Sequence, residues 1–188
     1  MRAFVAVVPP PEVVEDLDAF LDVRRSAAAY RWAPAGQLHV TLAFLADVPD
    51  RKLDDLVERL GRAAARRTAF PAVIAGGGAF PNAARARVLW AGLDLAEQAR
   101  VELSRMATGA RAAANRAGIP VDGRRFRPHV TVARLGHPDE VTAWVRLLDS
   151  YRGPSWIVDR FTLVASYLGE GPRNRPRYEV VEEFELKG

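Results

Sequence analysis

The sequence predicts an α+β fold of two lobes related by a pseudo-twofold axis, and three observations carry that expectation. A strand phrase headed by histidine occurs twice, as HVTLAFL from His39 and HVTVARL from His129. Each phrase is followed by a Pro-Asp dipeptide and apolar residues at i, i+3, i+4 and i+7, the stripe of a helix that packs one face on a sheet. Two further strand segments follow each of these helices. Units repeated in this way bring the two histidine strands face to face across a cleft.

Taken in order, Phe4 to Val8 is a short apolar strand, and the prolines at 9 to 11 introduce a helix with Val13, Val14, Leu17, Phe20 and Leu21 on one face. After the His39 strand, Pro49-Asp50 opens a helix striped by Leu53, Leu56, Val57 and Leu60. FPAVIAGGGAF (70 to 80) and RVLWAGLD (87 to 94) read as strands joined by the turn-prone PNAARA. A long helix spans about 95 to 117, closed by Gly118 and Pro120, with Leu95, Leu103 and Met106 on its buried side. The second unit repeats the pattern: the His129 strand, a helix opened by Pro138-Asp139 with Val141, Trp144, Val145 and Leu148, and the strands IVDRFTLVASYL and YEVVEEFEL. Only GEGPRNRPR, residues 169 to 177, reads as an extended loop.

Composition narrows the chemistry. The 188 residues contain no cysteine, which excludes disulfides, thiolate metal sites and a cysteine nucleophile. The start, MRAFVAVVPPPEVVEDL, is too short in apolar run and too acidic for a signal peptide, and no stretch approaches about 18 continuous apolar residues. A cytoplasmic protein without membrane contact is expected. Of the 27 Lys and Arg residues only Lys52 and Lys187 are lysine, so 25 are arginine, and net charge is +4. Arginine favours forked contacts to phosphate. An Ala- and Arg-rich coding bias accounts for the same count, so the charge permits a nucleic-acid partner without identifying one.

In a strand, residues two apart share a face, so His39 projects with Thr41 and His129 with Thr131. Pro128 is tolerated at a strand's beginning. A single histidine on a strand is usually a hydrogen-bonded structural residue, and duplication of an inert strand is the bland alternative for the pair. Only six threonines occur in the chain, however, so two matched His-x-Thr phrases among three histidines are hard to obtain by chance. Two imidazoles with ordinary pKa near 6.5 supply one general base and one general acid at neutral pH. In-line displacement at phosphorus needs a base and an acid on opposite sides. Threonine hydroxyls can then donate to non-bridging oxygens as charge grows.

Arg134, five residues after His129, is on the wrong parity for the histidine face unless a twist or bulge re-aims it. No HxH or HExxH occurs, and no Asp or Glu lies within four residues of His39 or His129, so no metal is expected. His137 has no counterpart in the first unit and reads as a surface or helix-cap residue. Trp32, Phe80, Trp90 and Phe126 read as core rather than as a base-stacking platform.

These residues resemble the 2H phosphoesterase superfamily, which is defined by two HxTx motifs, and within it the RNA 2',3'-cyclic phosphodiesterases, also called 2'-5' RNA ligases. The resemblance covers nearly the whole chain: MRAFVAV, RWAPAGQLHVTLAFL, GGGAFPNAARARVLWAGL, GRRFRPHVTVARL, LVASYLGEGP and YEVVEEFEL. It implies a single bilobal α+β domain over residues 1 to 188, with two antiparallel sheets lining a central cleft and helices outside. It also implies a monomer that hydrolyses RNA 2',3'-cyclic phosphates to 2'-phosphates without cofactor or metal, and that can run 2'-5' ligation in reverse. Carried over motif by motif, His39 is the proton donor, His129 the proton acceptor, Thr41 and Thr131 hold phosphate, and Arg134 adds a phosphate contact. Ala43, the segment 46 to 48 and the RNRPR insertion depart from the pattern and bear on substrate preference. Two other readings stand beside this one: an oligonucleotide-cleaving esterase that leaves a cyclic phosphate, and a non-catalytic RNA-binding module.

Overall fold

The computed structural model describes all 188 residues. In chain order the elements are β1 (Ala3–Val7), α1 (Pro11–Asp22), β2 (Arg31–Trp32), β3 (Val40–Leu45), α2 (Asp50–Ala65), β4 (Phe70–Phe80), β5 (Ala86–Asp94), α3 (Glu97–Arg116), β6 (Val130–Asp139), α4 (Thr142–Asp149), β7 (Trp156–Val158), β8 (Arg160–Tyr167) and β9 (Arg177–Glu185). The helices follow their apolar stripes: α1 buries Val13, Val14, Leu17 and Leu21, α2 buries Leu56, Leu60 and Ala64, and α3 buries Leu103 and Met106 with a run of alanines. Gly118, at φ +75°, supplies the left-handed turn that stops α3. No helix is long and apolar enough to cross a bilayer.

The strands form one antiparallel sheet in the order β7-β4-β5-β6-β3-β1-β8-β9, with β2 added on β6. Two sheets were expected from the resemblance; here they are one, with β3 and β6 joined at a single residue pair, Val40 with Val130. One lobe holds β3, β1, β8 and β9 beneath α2 and α3, and the other holds β6, β5, β4 and β7 beneath α4. Just before β4 and just after β9, Thr68 and Lys187 form an isolated parallel bridge between the two lobes.

The lobes are not the contiguous halves that the repeat suggested. The strands that follow α2 flank the His129 strand, and β8 and β9, which follow α4, flank the first strand of the His39 lobe. Each half therefore donates its strand pair to the other lobe. The segment IVDRFTLVASYL also departs from the expectation of one strand, because Asp159 separates β7, paired with β4, from β8, paired with β1. Pro138-Asp139 ends β6 instead of opening a helix; α4 starts at Thr142, and Val141 fills a buried position just before it. His137 is accordingly an exposed strand residue and caps nothing.

Gly77 and Gly78 let β4 be approached from both sides. A Cβ on Gly77 would overlap Leu148 of α4, and one on Gly78 would overlap the Trp90 indole. Gly61 in α2 differs, since its Cβ would meet Phe184 at an ordinary 3.8 Å. Gly77→Ala is expected to cost about 1–3 kcal/mol by overpacking, and Gly61→Ala to gain up to about 1 kcal/mol of helix propensity. Urea denaturation midpoints of the two variants check the contrast; equal midpoints would refute it.

Candidate active site

Both histidines sit just before the first residue of their strand, and both use the same local hydrogen bond. His39 Nδ1 lies 2.7 Å from the Gln37 carbonyl oxygen and His129 Nδ1 lies 2.6 Å from that of Arg127. A carbonyl only accepts, so Nδ1 carries the hydrogen in each ring and Nε2 of the neutral imidazole is the acceptor. Strands β3 and β6 start at the paired residues Val40 and Val130 and run in opposite directions. This register sets His39 beside Thr131 and His129 beside Thr41 on one face of the sheet. The hydrogen bonding of the two rings differs at Nε2: the Thr41 hydroxyl donates to His39 Nε2 at 3.0 Å, and His129 Nε2 has no protein partner.

Arg134 reaches this face through a bulge. Trp90 pairs with Thr131 and Leu89 with Ala133, so Val132 is the extra residue and the alternation is re-phased beyond it. The same slip occurs in β3, where Ala6 pairs with Thr41 and Val5 with Ala43, leaving out Leu42. The two phrases thus carry matching bulges three residues after histidine. Position five then faces the site in both, as Arg134 in β6 and Phe44 in β3. The Arg134 charge is felt by His39, His129 and Tyr178.

Each imidazole is boxed by two aromatic rings. Phe4 stacks on His39 at 4.5 Å, with Tyr178 edge-on at 5.8 Å. Phe80 meets His129 edge-on at 4.9 Å, with Trp90 at 6.0 Å. Of the four aromatics read as core, Trp32 packs in the main core and Phe126 lies partly buried against it, whereas Phe80 and Trp90 flank His129. Phe4 and Tyr178 were missed altogether. Phe4 hides in a strand buried along its whole length, and Tyr178 lies in a strand dominated by charge, so neither shows a distinguishing period.

Burial among these rings pushes His39 down to about 4, against the raising effect of the Gln37 carbonyl, while Arg134 and His129 lower it further. His129 is lowered for the same leading reason, desolvation, with Arg134 and Arg127 adding to it. Burial raises Tyr178, opposed by Arg134 and Arg2. Near pH 7 the protein groups of the cleft are therefore two neutral imidazoles beside the Arg134 guanidinium, a site short of negative charge. No three His, Cys, Asp or Glu side chains converge to hold a metal ion.

The family model described as LigT like Phosphoesterase matches residues 7–90 and 93–174, one HxTx strand in each stretch. The chain belongs to the LigT-like phosphoesterases. An RNA 2',3'-cyclic phosphodiesterase of Thermus thermophilus is 34% identical over 195 residues, covering 100% of this chain and 91% of its own. One from Aquifex aeolicus is 29% identical over 191 residues, covering 100% and 98%. Among solved structures, Escherichia coli LigT complexed with 3'-AMP superposes with TM-score 0.79 at 28% identity, covering 100% of this chain and 98% of that one. The Thermus thermophilus protein TT0787 gives 0.78 at 34%, covering 100% and 99%. In this chain the two lobes are α+β and share one large antiparallel sheet, and both solved structures superpose on it over its full length.

The depressed His39 makes folding pH-dependent. The unfolded chain takes up a proton near pH 6.5 and the folded one near 4, so stability falls as pH drops through that window, by at most about 3 kcal/mol for this group. His39→Gln removes the titrating group. Urea unfolding at pH 7 and pH 4.5 should show a smaller acid-induced loss for the variant than for the native protein; identical losses would mean that His39 titrates normally.

Proposed function

We propose that the protein hydrolyses RNA 2',3'-cyclic phosphate ends to 2'-phosphates, working as one bilobal domain. The observation that supports this best is the pair of imidazoles of the same tautomer, each presenting Nε2 to one cleft, with Thr41, Thr131 and Arg134 around them. The names of the relatives agree with it.

In this reading water attacks phosphorus in line with O3'. His129 Nε2, free of protein partners, takes the proton from water as general base. His39 gives a proton from Nε2 to the departing O3'. Arg134 and the two threonine hydroxyls hold the non-bridging oxygens as negative charge accumulates. The negative phosphate raises the affinity of both imidazoles for protons, reversing the direction set by burial, so substrate arrival favours the protonated His39 that leaving-group departure requires. Protonation also redirects Thr41: once His39 Nε2 carries hydrogen, the Thr41 hydroxyl is released from donating to it and turns to phosphate. No step uses a metal ion, and a ribose 5'-hydroxyl in place of water yields a 2'-5' linkage by the same roles.

The direct test is a short RNA ending in a 2',3'-cyclic phosphate, incubated with EDTA and followed by phosphorus NMR. A 2'-phosphate is expected. A 3'-phosphate would overturn the assignment of His39 to O3', and loss of turnover restored by a divalent ion would overturn metal independence. His39→Ala and His129→Ala should each lower kcat by at least about 10². The pH profiles should be bell-shaped, with the optimum of kcat/KM, which reports the free enzyme, more acidic than that of kcat, which reports the complex. Coincident optima would show that phosphate does not raise the histidines.

A further inference from the structure

On the outer surface, away from the histidines, α2 and α3 lie antiparallel, with Lys52 of α2 bonded to the Gly118 carbonyl just past the end of α3 and Arg67 beside Glu102 near its start. Between them runs a groove of about 360 Å³ whose walls hold six arginines, Arg59, Arg62, Arg66, Arg67, Arg105 and Arg116, and no acidic residue. Ser104 and Thr108 add hydroxyls, and Ala63, Gly109, Ala112 and Ala113 make a floor of small side chains.

The charge here is not balanced locally. Three carboxylates outside the groove serve four of the guanidiniums: Asp55 for Arg59, Glu58 for Arg62, and Glu102 for both Arg67 and Arg105. Arg66 and Arg116 have no ion pair and are exposed. Arg67 Nη1 is buried without a hydrogen-bond partner, at 3.7 Å from Glu102. Six positive charges facing three negative ones along one channel is an arrangement that repels itself unless an anion lies in it. Coding bias explains an abundance of arginine but not its concentration along one channel without acids in its walls. The floor points the same way. A Cβ on Gly109 would meet Ala63 Cβ at an ordinary 3.6 Å, so packing tolerates alanine there; glycine in the middle of a 20-residue helix costs about 1 kcal/mol relative to alanine and keeps the channel open.

We propose that this groove binds the phosphate backbone of single-stranded RNA, as a second site separate from the catalytic cleft. Guanidinium forks, serine and threonine hydroxyls are the groups that contact phosphate without reading bases. No aromatic residue lines the groove, so recognition is independent of sequence. The choice of RNA rests on the proposed function; the groove's preference for a phosphate chain rests on the arginines alone.

The test is fluorescence anisotropy with a labelled RNA 12-mer ending in a 3'-hydroxyl, titrated over a range of salt, alongside hydrolysis of adenosine 2',3'-cyclic monophosphate. In the variant R66Q/R116Q the 12-mer should bind about tenfold more weakly. Its slope of log K against log salt should shrink by about 1.4, the loss of two phosphate contacts on a single strand. Thr108→Glu, a surface change that places a carboxylate among the guanidiniums, should weaken binding at least as much. Both variants should hydrolyse the mononucleotide at the native rate. Unchanged RNA binding in both variants overturns the proposal, as does displacement of the native groove's RNA by equimolar ATP, which would mark a nucleotide site. If the mononucleotide is never hydrolysed while the variants lose RNA binding, the groove stands and the reading of the cleft fails.

Discussion

The pairing of Val40 with Val130 is the contact on which the rest depends. Both side chains are buried, and no other residue pair joins β3 to β6. Because β3 and β6 start at this pair and leave in opposite directions, the histidine preceding each valine lies at the junction and outside the ladder. Each lobe holds its own imidazole through a carbonyl two residues upstream, so ring orientation is set locally while ring separation is set by the valine pair. A slip of one residue there would turn one histidine face away from the other.

Electrostatics at the junction are a contest between desolvation and charge. The aromatic boxes remove water from the imidazoles, and Arg134 adds a positive charge that neither ring can offset, so both effects favour neutral histidine. An anion in the cleft reverses the balance for both rings at once. In the proposed reaction, burial that would be a handicap for an isolated general acid becomes a means of linking its protonation to occupancy by phosphate.

Much of this was legible in the sequence, for identifiable reasons. Helix stripes and the His-x-Thr parity follow from periods of 3.6 and 2, and these placed α2, α3, the histidine strands and the shared face of His39, Thr41, His129 and Thr131. Three features were not legible. The bulges at Leu42 and Val132 insert one residue without any glycine or proline to mark them, so Arg134 reached the site by a route that alternation forbids. The exchange of strand pairs between lobes depends on which edges find each other, which a repeat does not encode. Phe80 and Trp90 looked like core because an aromatic ring packed on a histidine and one packed in a core leave the same trace in a strand. Pro138 misled for a different reason: Pro-Asp opens α2 at Asp50, with Pro49 before it, but in the second unit β6 continues through the dipeptide to pair Asp139 with Ala86.

The differences between the two phrases matter as much as their likeness. A strictly symmetric pair of histidines would give no reason for one to lose a proton and the other to gain it. Position five after histidine breaks the symmetry, since Arg134 occupies it in β6 and Phe44 in β3, where the Arg2 guanidinium stacks on the Phe44 ring at 4.3 Å. One guanidinium from the His129 lobe thus acts on both imidazoles, and the corresponding place in the His39 lobe is filled by an aromatic ring that joins Phe4, Ala6, Val164 and Tyr178 in a small separate cluster. The Thr41 hydroxyl on His39 Nε2, without a counterpart on His129, is the second break. Together they leave His129 Nε2 as the unoccupied acceptor and His39 as the ring whose hydrogen-bond partner must change when it is protonated. In the proposed reaction the duplicated strand supplies two groups of equal chemistry, and the unmatched residues around it supply the direction in which a proton moves.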